Sequence, residues 1–439
     1  MGRAGEAPAE AGGEAGLPAA PPPEAAPGAH PLVATPTRRI PKRDDRVAWR
    51  RARYSQPMKP VHRFRLPALG VCALAALVLS AQAPPSSPSQ KPAGPEPTMS
   101  FEEYEPKSTL IVPEHPVTRA KYPFVDVHNH QDGAMPKAQL DKLVADMDGL
   151  NLQVMVNLSG GVGDDLHTTV DTMKGHYPKR FLVFANIDFS KIDDPDFGKK
   201  AAAQLAADVK YGATGLKIFK NLGMFVKDKN GKRVQTDDPR LDPIWDEAGA
   251  LGIPVLIHTG EPMAFWLPMD RYNERWLELK QFPSRRRDSP EFASFEQTMA
   301  EQHNMFRKHP KTTFIDAHLG WFGNDLARLG KLLDEMPNVN TEVGAVLHEL
   351  GRQPRAARAF LIKYQDRVLF GKDIWEPSEY WAYFRTFETA DEYFPYYRKR
   401  HAFWRLYGLD LPDEVLRKIY YKNALRILPG IDKSLFPAG

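Results

Sequence analysis

The chain has 439 residues, a formal net charge of +4, 42% hydrophobic residues and a single cysteine. That length suits one large domain with appendages. The near-balanced charge, without an aromatic-basic module, gives no case for a nucleic-acid partner.

Residues 1–57 are rich in Ala, Pro, Gly and charge and lack hydrophobic periodicity, so they are expected not to fold. Met58 opens a different pattern. Lys59, His62, Arg63 and Arg65 precede the apolar run Leu66–Ser80, which ends in small residues. Over 58–81 this reads as a secretory signal peptide, too short for a comfortable transmembrane helix. The expectation is that Met58 is the true start and that 1–57 is upstream over-translation. The protein is then exported, periplasmic or secreted, with no stable membrane anchor after processing. Cleavage is expected after Ala81, because a cut after Ala83 would leave Pro84 next to the bond. Cys72 lies inside the apolar run, where Leu69 would suit a lipoprotein cysteine but Val71 does not. Removing the signal leaves no cysteine, so disulfides and thiolate ligands are excluded and His, carboxylate and a modified lysine remain for any metal. Residues 82–110 read as a linker, flexible and Pro/Ser-rich over 84–98, leading to a domain over 111–437.

From Phe124 onward, strand and helix patterns alternate. Strands are expected near 124–130, 152–159, 181–188, 214–220, 253–258, 312–318, 338–344 and 367–373. Between them run amphipathic stretches such as Gln139–Leu150, Gly198–Tyr211, Pro239–Leu251, Ser294–Lys308 and Asn324–Glu335, with apolar residues at helical spacing. Eight strands in this order predict an α/β fold, a closed TIM (β/α)8 barrel with an outer ring of helices.

The first strand carries Asp126, His128 and His130 on one face and Val125 and Val127 on the other. A lone His-x-His is weak evidence, since core and turn histidines are common. Three later runs each end in a metal-competent side chain: Ile253 to His258 before Thr259-Gly260-Glu261, Thr313 to His318 before Leu319-Gly320, and Arg367 to Asp373 before Ile374-Trp375. Parallel barrels present catalytic groups at these strand ends. Four His and one Asp there are hard to explain as packing, because unpaired polar groups are costly to bury. A shared metal site is expected.

In these motifs the chain resembles the amidohydrolase superfamily, within it the amidohydrolase-2 group that contains amino-carboxymuconate-semialdehyde decarboxylase. The resemblance runs from about Phe124 to Pro429 and includes Asp-x-His-x-His, Ile-His-Thr-Gly-Glu, Ala-His-Leu-Gly, Phe-Gly-Lys-Asp and the closing Tyr-Lys-Asn-Ala-Leu-Arg-Ile-Leu. It implies His128, His130, His258, His318 and Asp373 as ligands, with Asp373 also the general base. The metal would lower the pKa of bound water and polarise a carbonyl. Zn²⁺ is the first expectation, with Mn²⁺, Fe²⁺ or Ni²⁺ fitting the same donors.

Lys217 decides between one ion and two. Some superfamily members carboxylate a lysine on the fourth strand so that it bridges two metals; alternatively Lys217 pairs with a substrate carboxylate or a nearby Asp. With Leu216 and Ile218 facing the helices, Lys217 points into the barrel and is a better candidate than Lys220. Glu261, Glu342 and Asn186 are expected to orient ligands or touch substrate, and Asp126 and Asp316 to orient ligands from deeper positions. Two insertions hang over the mouth. One, Val226 to Val234, carries an Asn-Gly hairpin signal. The other, Pro262–Phe292, offers Trp266, Arg271, Arg275, Trp276 and Arg285 to Arg287 as covers, with Glu261, Trp266 and Arg271 expected to touch substrate. Trp375 to Tyr407 is rich in aromatic residues and is expected to cap the site or form a subunit interface in a homo-oligomer. His115, His167, His176, His303, His309, His348 and His401 are read as surface or packing residues.

The leading reading is a metal-dependent hydrolase cleaving a C–N or C–O bond of a small molecule. The alternatives are a non-oxidative decarboxylase or hydratase and an exported ligand-binding barrel without catalysis; intact Asp373 weighs against the last.

Overall fold

Strand order and register come directly from the alternation of apolar strands with helices. The computed structural model describes residues 98–401 and 403–438. The segments read as 1–57 and as the 58–81 signal lie outside the described residues. Eight strands follow in order: β1 Phe124–Asn129, β2 Leu152–Asn157, β3 Phe181–Ala185, β4 Gly215–Ile218, β5 Val255–Ile257, β6 Phe314–Asp316, β7 Val339–Glu342 and β8 Val368–Leu369. Each pairs in parallel with the next. Both sheet faces are covered: β1, β3 and β5 are buried throughout, β3 and β5 as unbroken apolar runs.

The ring closes between β8 and β1. Val127 N donates to Phe370 O at 3.0 Å, Asp373 N to His128 O at 2.6 Å, and Lys372 N to the Asp126 carboxylate at 3.1 Å. The barrel is therefore a TIM barrel.

Helices α1 Lys137–Leu150, α2 Asp164–His176, α3 Phe197–Tyr211, α4 Asp242–Ala250, α5 Trp276–Gln281, α6 Phe295–Lys308, α7 Leu326–Glu335, α8 Leu347–Arg352, α9 Pro354–Lys363 and α10 Tyr380–Glu388 follow in chain order. Helix α2 is not among the stretches picked out by periodicity, because Thr169 occupies one of its buried positions beside Leu166, Val170 and Met173. The predicted helix over Pro239–Leu251 begins as a 3-10 turn at Pro239–Leu241 before α4. The strands are shorter than predicted at their carboxyl ends. The sequence pattern carries 312–318 to the histidine, whereas the ladder stops at Asp316 and His318 leaves it with positive φ.

The aromatic segment after Trp375 is largely core. Tyr380 and Phe384 of α10 pack with Phe124 of β1 and with Phe370, which buttresses the barrel where β8 is shortest. The Asn-Gly segment forms the expected hairpin, with Lys227 bridged to Arg233 and Val234 N donating to Val226 O at 2.9 Å. Residues 98–110 carry no helix or strand, but Phe101 and Tyr104 lie edge-on to Phe403, and Phe101 also meets Trp276 of α5. No helix among the described residues is long and apolar enough to cross a membrane.

Candidate metal centre and its surroundings

β1 aims His128 inward and ends before His130. The His128 Nδ1 faces the Glu342 carboxylate at 2.9 Å, which makes that nitrogen the donor and leaves the Nε2 lone pair pointing into the barrel mouth. There Nε2 lies 3.5 Å from Asp373 Oδ1, and His130 Nε2 lies 3.6 Å from the same oxygen. Both distances are long for hydrogen bonds. Two donors bound at about 2.1 Å to one tetrahedral ion stand about 3.4 Å apart, so the spacing fits a shared divalent cation. His130 is anchored from behind by Ser159 Oγ at 2.8 Å from Nδ1.

A second pair faces this group. His318 Nδ1 donates to Gly344 O at 2.8 Å, and its Nε2 lies 3.3 Å from His258 Nδ1. The other His258 nitrogen, Nε2, is buried with no hydrogen-bond partner among the described residues. A buried imidazole with an idle nitrogen beside other ligands is what a metal site leaves when only protein is present. Burial holds the His128 and His258 rings well below the ordinary histidine pKa, and brings His130 down to about 4, so all three offer neutral lone pairs. Burial would raise the Asp373 carboxyl, but the facing His128, His318 and His130 and the Lys217 amine hold it below the usual range.

Glu342 is the organiser of this arrangement. Its carboxylate takes the His128 Nδ1–H, the His318 backbone N–H at 2.7 Å and the Gly344 N–H, and it is fully buried. A carboxylate on the far nitrogen of a ligating imidazole fixes tautomer and orientation, which is the role the strand position predicts. Asp126 has the matching role in the backbone: it accepts from His128 N, Asn129 Nδ2, Tyr380 OH at 2.6 Å and Lys372 N. Burial lifts the Asp126 carboxyl to about 6. Asp316 is lifted further, to about 8, by burial; Gln302 supplies one bond, at 2.8 Å. Asn186 does not enter the mouth and instead ties Gly161 N to Leu158 O.

Lys217 is buried, with Nζ 3.4 Å from His128 Nε2, and burial lowers its pKa to about 8. Lys220 lies further out, and its ammonium donates to Glu261 at 3.0 Å. Arg287 donates to the same Glu261 oxygen at 3.2 Å while lying over Phe225 and Phe292. Glu261 is thus enclosed by two cations instead of being presented to the mouth. Arg271 is not brought to the histidines; its guanidinium covers the exposed Tyr272 ring at 4.8 Å. Trp266 packs on Phe295 and donates its indole N–H to Ala293 O at 2.8 Å, so it fastens the insertion to α6. Of the arginine run, Arg285 pairs with Glu278 and Arg286 with Asp288, leaving Arg287 as the member that reaches Glu261.

Sequence reasoning passes over Trp321. His318, Leu319 and Gly320 have φ of 59, 55 and 57°, and Trp321 follows at 56°. This left-handed turn costs on the order of 1 kcal/mol for each non-glycine residue. Gly320 is required here twice over, since a Cβ would also sit 2.3 Å from the Asp316 carboxylate. The turn stacks the Trp321 indole on His318 at 4.6 Å and brings it 5.6 Å from His258. The Leu-Gly after His318 was the visible signal of a turn; its handedness was not.

The family model described as amidohydrolase matches residues 125–430. No curated protein matches the chain. Among solved structures, 2,6-dihydroxybenzoate decarboxylase from Rhizobium is 17% identical, with 70% of this chain and 98% of that one covered and a TM-score of 0.45. A dihydroxybenzoic acid decarboxylase from Polaromonas with bound manganese is 15% identical, covering 70% and 96% at 0.45. The 4-oxalomesaconate hydratase from Rhodopseudomonas palustris is 16% identical, covering 71% and 97% at 0.43. These are distant likenesses of fold and carry nothing further. The match to the family model covers most of the sequence and includes every strand end that bears a histidine or Asp373, and by it the chain belongs to the amidohydrolase family, in its amidohydrolase-2 group.

Proposed function

We propose that the protein is a divalent-metal-dependent enzyme that acts on a small carboxylated molecule, by non-oxidative decarboxylation or by hydration. The observation that carries this reading is charge. Lys217, Lys220 and Arg287 stand against Glu261, Glu342 and Asp373, so the two charges of a bound ion would leave the mouth cationic. An anionic substrate offsets that excess; a neutral amide or lactone does not.

His128, His130 and Asp373 would hold the ion, with His258 and His318 completing the set. When bound, it would polarise a carboxylate or carbonyl oxygen. Zn²⁺ and Mn²⁺ both suit these donors, and carboxylation of Lys217 would convert a one-ion site into a two-ion site. With Oδ1 turned toward both imidazoles, the second oxygen of Asp373 would carry the proton, and Lys220 would receive the substrate carboxylate in exchange for part of its pairing with Glu261.

Hydrolysis of a C–N or C–O bond is the second reading. It draws on the same Asp373 position, where a carboxylate can take a proton from water. To separate the two, the metal-loaded protein is given hydroxybenzoates and unsaturated dicarboxylates in parallel with amides, lactones and esters. CO₂ release and loss of unsaturation are followed separately from hydrolysis. Turnover of carboxylated compounds, reduced at least tenfold in Lys220→Met, is the expected result. Turnover confined to uncharged amides or lactones would refute it and establish the hydrolase.

A further inference from the structure

Trp321 is a wall with two sides. One side lies on the histidine rings; the residue also lines a cavity of about 270 Å³ beside the site, between the Pro262–Phe292 insertion, the left-handed turn and the start of α8. Met263, Leu267, Tyr272 and Val346 are among its apolar lining, and His348 also lines it. Met263, Leu267 and Tyr272 are large apolar side chains left 37%, 44% and 77% exposed, grouped at one cavity on a single insertion. Scattered exposed apolar residues need no explanation, but a group beside a reacting centre does.

The volume falls just below the range of whole small-molecule sites, so it suits one ring with a short substituent. No lysine or arginine lines it, and its two carboxylates, Glu274 and Glu349, are both held by Arg352, at 2.8 and 2.7 Å. An anion has no partner there.

We propose that this cavity is a subsite for an uncharged aromatic group of the substrate, joined to the portion that reacts at the histidines. The proposal rests on the reading of the His/Asp cluster as a metal-dependent reacting centre. The insertion, which supplies Met263, Leu267 and Tyr272, then sets which aromatic group is taken.

Two probes test it. On metal-free protein, ligand-observed NMR with acetophenone should show saturation transfer that falls at least fivefold in Leu267→Asp, a surface change whose melting curve verifies the fold. On zinc-loaded protein, hydroxamates with phenyl, benzyl or phenylethyl groups are compared with acetohydroxamate by calorimetry. At least one aryl compound should bind ten times more tightly than acetohydroxamate, and Leu267→Asp should abolish that advantage while leaving acetohydroxamate unchanged. Equal acetophenone signals in both proteins, or an aryl advantage absent or independent of Leu267, would overturn the subsite. Failure of acetohydroxamate to bind, with Leu267-dependent acetophenone binding intact, would instead overturn the metal-centre reading and leave the subsite standing.

Discussion

Glu342→Gln isolates the residue on which both histidine pairs depend. The substitution keeps volume but replaces a carboxylate that accepts three N–H donors, from His128 Nδ1, His318 N and Gly344 N, with an amide that has one acceptor oxygen. Whichever way the amide turns, its NH₂ meets at least one of those donors. Hydrogen bonds to a charged group contribute about 1.5–3 kcal/mol each and neutral ones roughly half that. Weakening two bonds and opposing the third gives an expected loss of about 3–5 kcal/mol, measured by denaturant unfolding of the metal-free protein. The ring of His128 also loses the acceptor that fixes its tautomer, so zinc affinity, read by competition with a chromophoric chelator, should fall about 10- to 100-fold. A variant within 1 kcal/mol of wild type and with unchanged metal affinity would show that this carboxylate does not organise the site.

Asp373→Asn should keep the fold and much of the metal while turnover falls by about 10² to 10⁴, the usual contribution of a positioned proton carrier; near wild-type turnover would remove Asp373 from proton transfer. Lys217 has a folded pKa of about 8 against an ordinary 10.5, so the unfolded chain binds its proton more tightly. Stability of the metal-free protein should therefore rise by about 3 kcal/mol between those two values, and Lys217→Met should lose that rise and be the more stable protein below pH 8. Equal pH slopes in the two proteins would contradict this. From residues 58–81 we further propose export: expressed from Met58 in a bacterium, the protein should leave the cytoplasm with a mature amino terminus near Gln82, and recovery of uncleaved cytoplasmic protein alone would argue against it.

The barrel and the convergence of the histidines were legible because period-two alternation and strand ends are local properties. Asp126 and His128 sit on one strand with His130 just past its end, and the later motifs each end a strand of their own, so parallel topology alone brings them to one mouth. Side-chain partnerships were less legible. Nothing near Glu261 in sequence announces that Lys220 and Arg287 enclose it, and nothing near Arg271 announces that it folds onto Tyr272. Those pairings depend on how a long insertion lies over the barrel, which propensity does not encode. The left-handed turn escaped for a related reason: Leu and Trp carry no intrinsic preference for positive φ, so tertiary packing enforces it at Leu319 and Trp321.

The placement of the closing strand bears on assembly. His128 and His130 are made well before Asp373, and the three face one another across the junction where β8 contributes only two ladder residues. The ion-binding set therefore does not exist in any nascent intermediate that lacks the final strand. A bound ion would act as a clasp on the two ends of the barrel, drawing its binding free energy from the act of ring closure. Hydrogen exchange should report this directly: in metal-free protein the amides of Val127 and Asp373 should open first, and metal should protect them ahead of the rest of the sheet.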